Sequence, residues 1–445
     1  MHLRRCWSFL VCLVIVLMYY RANNIVENQS EKPSTVLKKI VAYSLRKQIE
    51  FDGHEFTCQN LTYKINHSQS TFWNKVPNME IFITSVYLDS RLEPYKYLRI
   101  IAANKANLNE TIYCRIIMNS DHVLVVRATV MPIWYEKWNA NDKNTYYNPV
   151  LISCRVPALN LIPMGISLSK KPCDTIYKMF NINIPKETKH NFTVCIKPLD
   201  FMKDISMHLV RWIEISKILG AQYFYFFIKN VTKETRRILN WYKSQYPRNF
   251  RLENFIPIET QCENCTTSVW QKRKYEIITY NKCFYSNLNS QYVIPLDTDE
   301  IILPKTYKNW SDLIQKHANN VSSIMVQNVY FFTKEIDFFK VKFRTASPNK
   351  QGENSKSFIS TKNTLTVFNH YSLHSLRPGT IRHIFLPFKD VQLNHYKESC
   401  DRMVLPECNH YALSPTIFDN TIDRYKDQFD KEYGNVLKRI RKYIK

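Results

Sequence analysis

The residues best suited to chemistry are three clustered carboxylates, in the run Asp297-Thr298-Asp299-Glu300. Like charges this close repel one another unless a cation compensates them. Hard oxygen donors suit Mg²⁺ or Mn²⁺, and a histidine joining them favours Mn²⁺. A cation held there can bridge two phosphates of a nucleotide-sugar and neutralise the charge that develops as a diphosphate leaves. An Asp-x-Asp pair arises easily by chance in a chain of 445 residues, so the weight falls on where the run sits.

It sits at a strand end. Residues 292–296 are a continuous apolar run leading into Asp297, and an apolar stretch over 301–303, closed by Pro304, follows Glu300. From about Asn191, strands and helices alternate. A short strand is predicted over 193–197, stopped by Pro198. Ile205, Leu209, Trp212, Ile213 and Leu219 then recur at helical spacing, with Glu214 on the polar side and Gly220 where a C-terminal cap belongs. Further strands are expected over 223–228 and 251–256, and helices over 232–246 and 269–285. This alternation argues for βαβ units and a mostly parallel sheet, whose ligands bind beyond the carboxyl ends of the strands. Asp297 falls there.

Ahead of that region the pattern is mainly β. Runs over 81–86, 97–102, 113–118, 123–130 and 150–156 are rich in β-branched and aromatic residues, and Asn-rich turns separate them.

Compartment follows from the N-terminus. His2, Arg4 and Arg5 precede the apolar run 6–20, and Arg21 follows it. Tyr19, Tyr20 and Arg21 stand where a cleavage site needs small residues, so the run reads as an uncleaved signal-anchor with the basic N-terminus cytosolic. So short a span suits the thinner membranes of the early secretory pathway. A luminal body agrees with nine Asn-x-Ser/Thr sequons, at Asn28, Asn60, Asn66, Asn109, Asn191, Asn230, Asn264, Asn309 and Asn320. Of 12 cysteines, only Cys6 and Cys12 lie in the anchor, which leaves an even number for disulfides. Cys262-Glu-Asn-Cys265 lacks a second pair, so it reads as structural rather than as a zinc site. The net charge of +24 comes from dispersed basic residues, which fits a solvated surface, and a luminal body excludes nucleic acid as a partner. The expected divisions are a cytosolic tail (1–5), a transmembrane helix (6–22), a stem (23–57), a β-rich accessory domain (58–190), an α/β domain (191–420) and a basic amphipathic C-terminal helix (421–445).

Four ordered blocks give this α/β pattern a family resemblance: Ile83-Thr-Ser-Val-Tyr-Leu-Asp89-Ser-Arg91 with Tyr97-Leu-Arg99; Cys195-Ile-Lys-Pro198-Leu199 with Trp212-Ile-Glu214 and Leu219-Gly220-Ala221; Tyr280-Asn281-Lys282-Cys283 with Asp297-Thr-Asp299-Glu300 and Pro304; and His395-Tyr396-Lys397. Together they resemble glycosyltransferase family 92, a set of type II Golgi membrane proteins. The departures are Lys282 where the family has Asp, Lys397 where it has Arg, and Phe226-Phe227-Ile228-Lys229 where Tyr-Asp is common. The resemblance implies a GT-A (Rossmann-like) catalytic fold and Mn²⁺ (or Mg²⁺) dependence. It also implies inverting transfer of a sugar, galactose from UDP-galactose, onto a glycan acceptor.

On that reading Pro198 and Leu199 contact the donor. Asp299 ligates the metal, Asp297 reaches the ribose or the metal through water, and Glu300 orients the ligands. A histidine from later in the chain completes the metal site, with His395 and His374 ahead of His370. Inversion also requires a carboxylate to deprotonate the acceptor hydroxyl, and Glu335, Asp337, Glu353 and Glu398 follow the acidic run. The competing reading is an inactive glycan-binding or adhesion protein on the same scaffold.

Overall fold

The computed structural model describes Cys58 and residues 72–105, 110–118, 123–139, 146–156, 162–185, 189–261, 268–317, 320–399 and 408–444. The expected cytosolic tail, signal-anchor and stem lie outside them, as do the sequons at Asn28, Asn60, Asn66, Asn109 and Asn264 and the Cys262/Cys265 pair. Among the described residues no helix is long and apolar enough to cross a membrane. The sequon residues Asn191, Asn230 and Asn320 are exposed. Asn309 is half-buried, and its Oδ1 accepts the Asp312 amide at 3.0 Å.

Among the described residues, nine strands form an N-terminal sheet centred on the antiparallel pair Ile81–Leu92 and Tyr95–Asn104. Side chains alternate between its two faces, as strand geometry requires. Ile81, Ile83, Ile100, Ala102 and Ile152 enter a core enclosed by the sheet's own strands, whereas Phe82, Ile101, Ala103 and Leu151 point the other way. The disulfide Cys114–Cys154 joins Tyr113–Met118 to Asn148–Val156. These strands are not neighbours in the sheet, so the bond crosses the enclosed core and the sheet curls over itself.

We number the strands and helices of the α/β region from residue 192. Its main sheet runs β3 (Phe250–Asn254), β2 (Tyr223–Val231), β1 (Phe192–Phe201), β4 (Tyr292–Pro295), β8 (Lys356–Ser360), β6 (Val321–Val326) and β9 (Ile381–Phe385). The first four are parallel, as the alternation predicts. β8 then inserts antiparallel beside both β4 and β6. A second sheet is ordered β5 (Glu300–Pro304), β10 (Val391–Lys397) and β7 (Asn328–Phe332).

Helix α1 (Ser206–Leu219) ends at Gly220, whose φ of 128° favours a residue without Cβ. Helix α2 (Lys233–Gln245) starts at Thr232, whose side chain accepts the Thr235 amide, and α3 (Val269–Ser286) starts at Ser268, which accepts the Gln271 amide. Two sequence expectations need correction here. Pro198 does not stop its strand: β1 continues to Phe201 with a register shift between Ile196 and Leu199, which absorbs the missing amide. Glu214 is not on a polar face. It is buried, pairs with Lys217 at 2.9 Å and accepts the Tyr242 hydroxyl at 2.8 Å.

Helix α3 is central. Tyr275, Ile278 and Tyr285 share one apolar cluster with Phe72, Phe82 and Tyr87 of the N-terminal region and with Tyr225 and Val293 of the main sheet. The disulfide Cys195–Cys283 ties α3 to β1. The C-terminal helix Lys426–Ile444 buries Phe429, Val436 and Ile440 in the α/β core.

Candidate active site

The acidic run is held as a fixed turn beyond β4. The Leu296 amide donates to the Cys195 carbonyl, extending the parallel ladder up to the carboxylates. The Glu300 amide then donates to the Asp297 carbonyl at 3.0 Å, while the Glu300 carboxylate accepts the Asp297 amide at 3.0 Å. The carbonyls are taken in turn: Thr298 by His208 Nε2 (2.8 Å), Asp299 by the Tyr396 amide (2.8 Å) and Glu300 by Trp212 Nε1 (2.8 Å). A carbonyl only accepts, so His208 carries its proton on Nε2.

Strand register delivers the histidine. Glu300 lies opposite His395 in the antiparallel β5–β10 ladder, and Tyr330 of β7 lies opposite His395 on the other side. His395 Nε2 stands 3.3 Å from Asp299 Oδ2, and its Nδ1 faces Glu300 Oε1 at 3.7 Å, too far for a hydrogen bond. That buried Nδ1 has no hydrogen-bond partner among the described residues. The Asp299 side chain is 41% exposed, so it faces open space, whereas Glu300 is only 2% exposed.

Two lysines absent from the sequence reading complete the charge balance. Lys356 of β8 is buried, with Nζ 3.4 Å from Asp297 Oδ2 and 3.2 Å from Glu300 Oε2. Lys197 of β1 places Nζ 3.1 Å from Asp297 Oδ1 and 3.8 Å from Glu276 Oε1. Burial alone would raise the Asp297 carboxyl, but Lys197 and Lys356 overcome it and hold it far below the usual carboxylate range. Partial loss of water inside the cleft opposes ionisation of Asp299, and His395 overcomes it, so this carboxyl too is lowered. Burial pushes Glu300 up, with Lys356 only partly offsetting it. Among the described residues no group of three or more His, Cys, Asp or Glu side chains is arranged to hold a metal ion.

Before the acids opens a cleft of about 1020 Å³. Lys197, Pro198 and Leu199 line it from β1, and Trp270, Arg273, Glu276 and Tyr280 line it from α3. Tyr280 points its hydroxyl at Asp297 Oδ1 (3.5 Å), and burial followed by the Asp297 charge keeps that phenol protonated. Asp297, Asp299, Glu300 and His395 all border this space, together with Glu335, Glu398 and Lys397.

His374 is not brought there. It lies on the hairpin strand Ser372–Ser375 opposite Thr366, with Nδ1 2.7 Å from that hydroxyl. His370 does border the cleft, but burial and then Lys356 press it down to about 3, so it is neutral. Of the other carboxylates, Asp337 pairs with Arg211 at 3.3 Å and Glu353 accepts the Tyr411 hydroxyl at 3.1 Å, both away from the cleft lining. Lys197 stood inside the second motif block and Tyr280 opened the third, but neither was singled out there. Lys356, His208, Trp270, Arg273 and Glu276 carried no local signal.

Comparison with known proteins gives one informative result. No curated protein matches the chain. Among solved structures, a point mutant of ferredoxin-NADP+ reductase from Plasmodium falciparum with 2'P-AMP is 9% identical. That match covers 48% of this chain and 84% of that one at a TM-score of 0.14, which carries no argument about the fold. A protein-family model, glycosyltransferase family 92, matches residues 190–433, more than half of the sequence and all of the α/β region that builds the cleft. The chain belongs to glycosyltransferase family 92.

Proposed function

We propose that this chain transfers a sugar, galactose from UDP-galactose, with inversion onto a glycan acceptor. It would do so as a single-pass type II protein with its body in the Golgi lumen, on a GT-A scaffold. The observation that carries this reading is the β5–β10 register, which sets His395 beside Asp299 at the mouth of a cleft already lined with cations.

The residues present fit a Mn²⁺ or Mg²⁺ ion. Asp299 Oδ2 and His395 Nε2 stand 3.3 Å apart, close enough for one small hard cation to take both as ligands. Asp299 and His395 would hold the ion, with donor phosphates and water supplying the rest, and Glu300 would orient His395 from its Nδ1 side. Asp297, neutralised by two lysines, is left for the ribose hydroxyls or a ligated water. When bound, the cation supplies charge neutralisation at the departing diphosphate.

The chain's own residues do the remaining work. Lys197 and Arg273 add positive charge along the cleft floor, where the donor's phosphates would lie. A cleft-lining carboxylate, Glu335 or Glu398, would take the acceptor hydroxyl's proton. The acceptor oxygen then bonds the anomeric carbon from the face opposite the phosphate. The carbon–oxygen bond to the β-phosphate breaks, and its electron pair leaves with UDP.

Purified full-length protein in detergent should release UDP from UDP-galactose only with Mn²⁺ or Mg²⁺ present. Asp299→Asn should lower that turnover by about 10³-fold, the loss typical of removing one electrostatic stabiliser, while leaving the fold intact. Turnover at the wild-type rate in that variant would refute the assignment. One observation favours the inactive glycan-binding alternative: Lys197 and Lys356 already neutralise Asp297. Calorimetric titration with Mn²⁺ and UDP separates the two readings, because a glycan-binding protein would take up neither.

A further inference from the structure

Part of the cleft lining is aromatic, and one of its rings comes from outside the segment shared with the family. Trp138 belongs to the short helix Glu136–Asn139 of the N-terminal region, whereas the family match begins at residue 190. Its ring lies 4.9 Å from Phe368, 5.4 Å from Trp134 and 6.3 Å from Trp270, the second residue of α3. Trp134 and Phe368 are buried, and Lys274 Nζ sits 3.9 Å from the Trp134 ring centroid, so the cluster has a fixed base. Trp138 and Trp270 are only half-buried, and both line the cleft.

Two indoles left partly bare in a cleft cost hydrophobic free energy unless something covers them. The face of an indole ring is electron-rich and meets the polarised C–H groups of a ligand favourably. A pyranose presents such a C–H face on one side and hydroxyls around its rim. Along α3 the side chains facing the cleft are Trp270, Arg273, Glu276 and Tyr280. Ten residues of helix span about 15 Å, so the aromatic end is remote from Asp297, which Tyr280 touches. Glu276, in between, offers a carboxylate acceptor for hydroxyls. A nucleotide donor common to the family would be held by residues within the matched segment, and Trp138 lies outside it.

We infer that Trp138 and Trp270 form a stacking subsite for a neutral oligosaccharide acceptor, holding a sugar ring one or more units away from the reacting hydroxyl. The word acceptor rests on the transferase reading; the binding of saccharide does not. The subsite makes the N-terminal region a specificity element of the cleft. It also requires affinity to grow with chain length, because a monosaccharide cannot reach both the acids and the indoles.

The test measures equilibrium binding to the full-length protein with two separate probes, UDP in the presence of Mn²⁺ and labelled neutral tetrasaccharides of galactose, N-acetylglucosamine and mannose. The wild type should bind at least one tetrasaccharide more tightly than its component monosaccharides. Trp138→Ala should weaken that binding about tenfold, the scale of one stacked ring. Trp138→Phe should restore most of it, and UDP affinity should be the same in all three. Unchanged tetrasaccharide affinity in Trp138→Ala, a loss of UDP affinity instead, or no saccharide binding by the wild type would each overturn the inference. Saccharide binding that responds to Trp138, in a protein that never binds UDP, would leave the subsite standing and remove the transferase reading.

Discussion

At the scale of single residues, this protein pairs wholly or partly buried carboxylates with cations that are themselves wholly or partly buried. Asp297 is held by Lys197 and Lys356, and Asp419 by Arg344, whose Nε stands 2.6 Å from Asp419 Oδ2. Asp419 provides the cleaner test, because it lies away from the cleft. Burial would raise its carboxyl, but Arg344, the Thr421 amide and Gln392 bring it down from 3.8 to about 2. A carboxylate depressed in the folded state contributes stability that is fully present above its unfolded value. That stability is lost as pH falls from about 4 through about 2. The difference is worth about 2 kcal/mol, so denaturant unfolding should lose that much over this window, and Asp419→Asn should flatten the slope. An equal acid slope in the variant would mean that other groups carry it. The same pairing explains what the sequence conceals. The acids were legible because they are contiguous, and His395 through its His-Tyr-Lys block. Lys356 was not, because a lysine between two serines reads as solvated until the β4–β8 pairing places it beside Asp297.

At the scale of elements, the first motif block turns out to be a clamp rather than part of the cleft. Arg91 donates from Nε to Asp89 Oδ1 at 2.8 Å and from Nη1 to the Thr361 carbonyl and, at 2.8 Å, the Thr364 carbonyl. Its guanidinium also lies 5.4 Å from the Phe284 ring centroid of α3. The N-terminal sheet is thereby fastened to the loop after β8 and to α3. Lys282, where the family has Asp, serves the same boundary by reaching Glu253 and Thr84. Removing Arg91 strands the buried Asp89 beside Arg99 alone, so Arg91→Ala should cost on the order of 3 kcal/mol, read from the denaturation midpoint. A midpoint within error of the wild type would dismiss the clamp. Sequence reasoning found these strands and helices by period and capping, but it cannot see neighbours. The antiparallel insertion of β8, the continuation of β1 through Pro198 and the burial of Glu214 all depend on pairings distant along the chain.

At the scale of the whole molecule, α3 decides whether the N-terminal sheet is an appendage or part of the fold. A helix on the outside of an α/β sheet shows one polar face to water. In α3, Lys274, Tyr275, Ile277, Ile278, Asn281, Lys282 and Tyr285 are all buried, because a second sheet covers the side that would otherwise be wet. Phe72, Trp73, Phe82, Tyr87, Ile101 and Leu151 supply that cover. Each such side chain contributes about 1.5–3 kcal/mol when buried, so together they match the entire stability of a typical domain, about 5–15 kcal/mol. A chain beginning at residue 190 would keep every residue of the family match and every acidic group lining the cleft, yet expose this face. Such a fragment should fail to accumulate as soluble, cooperatively unfolding protein, while one beginning at Thr57 should do so, with the disulfide Cys58–Cys173 intact. A soluble, cooperatively melting fragment of residues 190–445 would show that the N-terminal sheet is dispensable for folding. Its tie to the cleft would then rest on Trp138 alone.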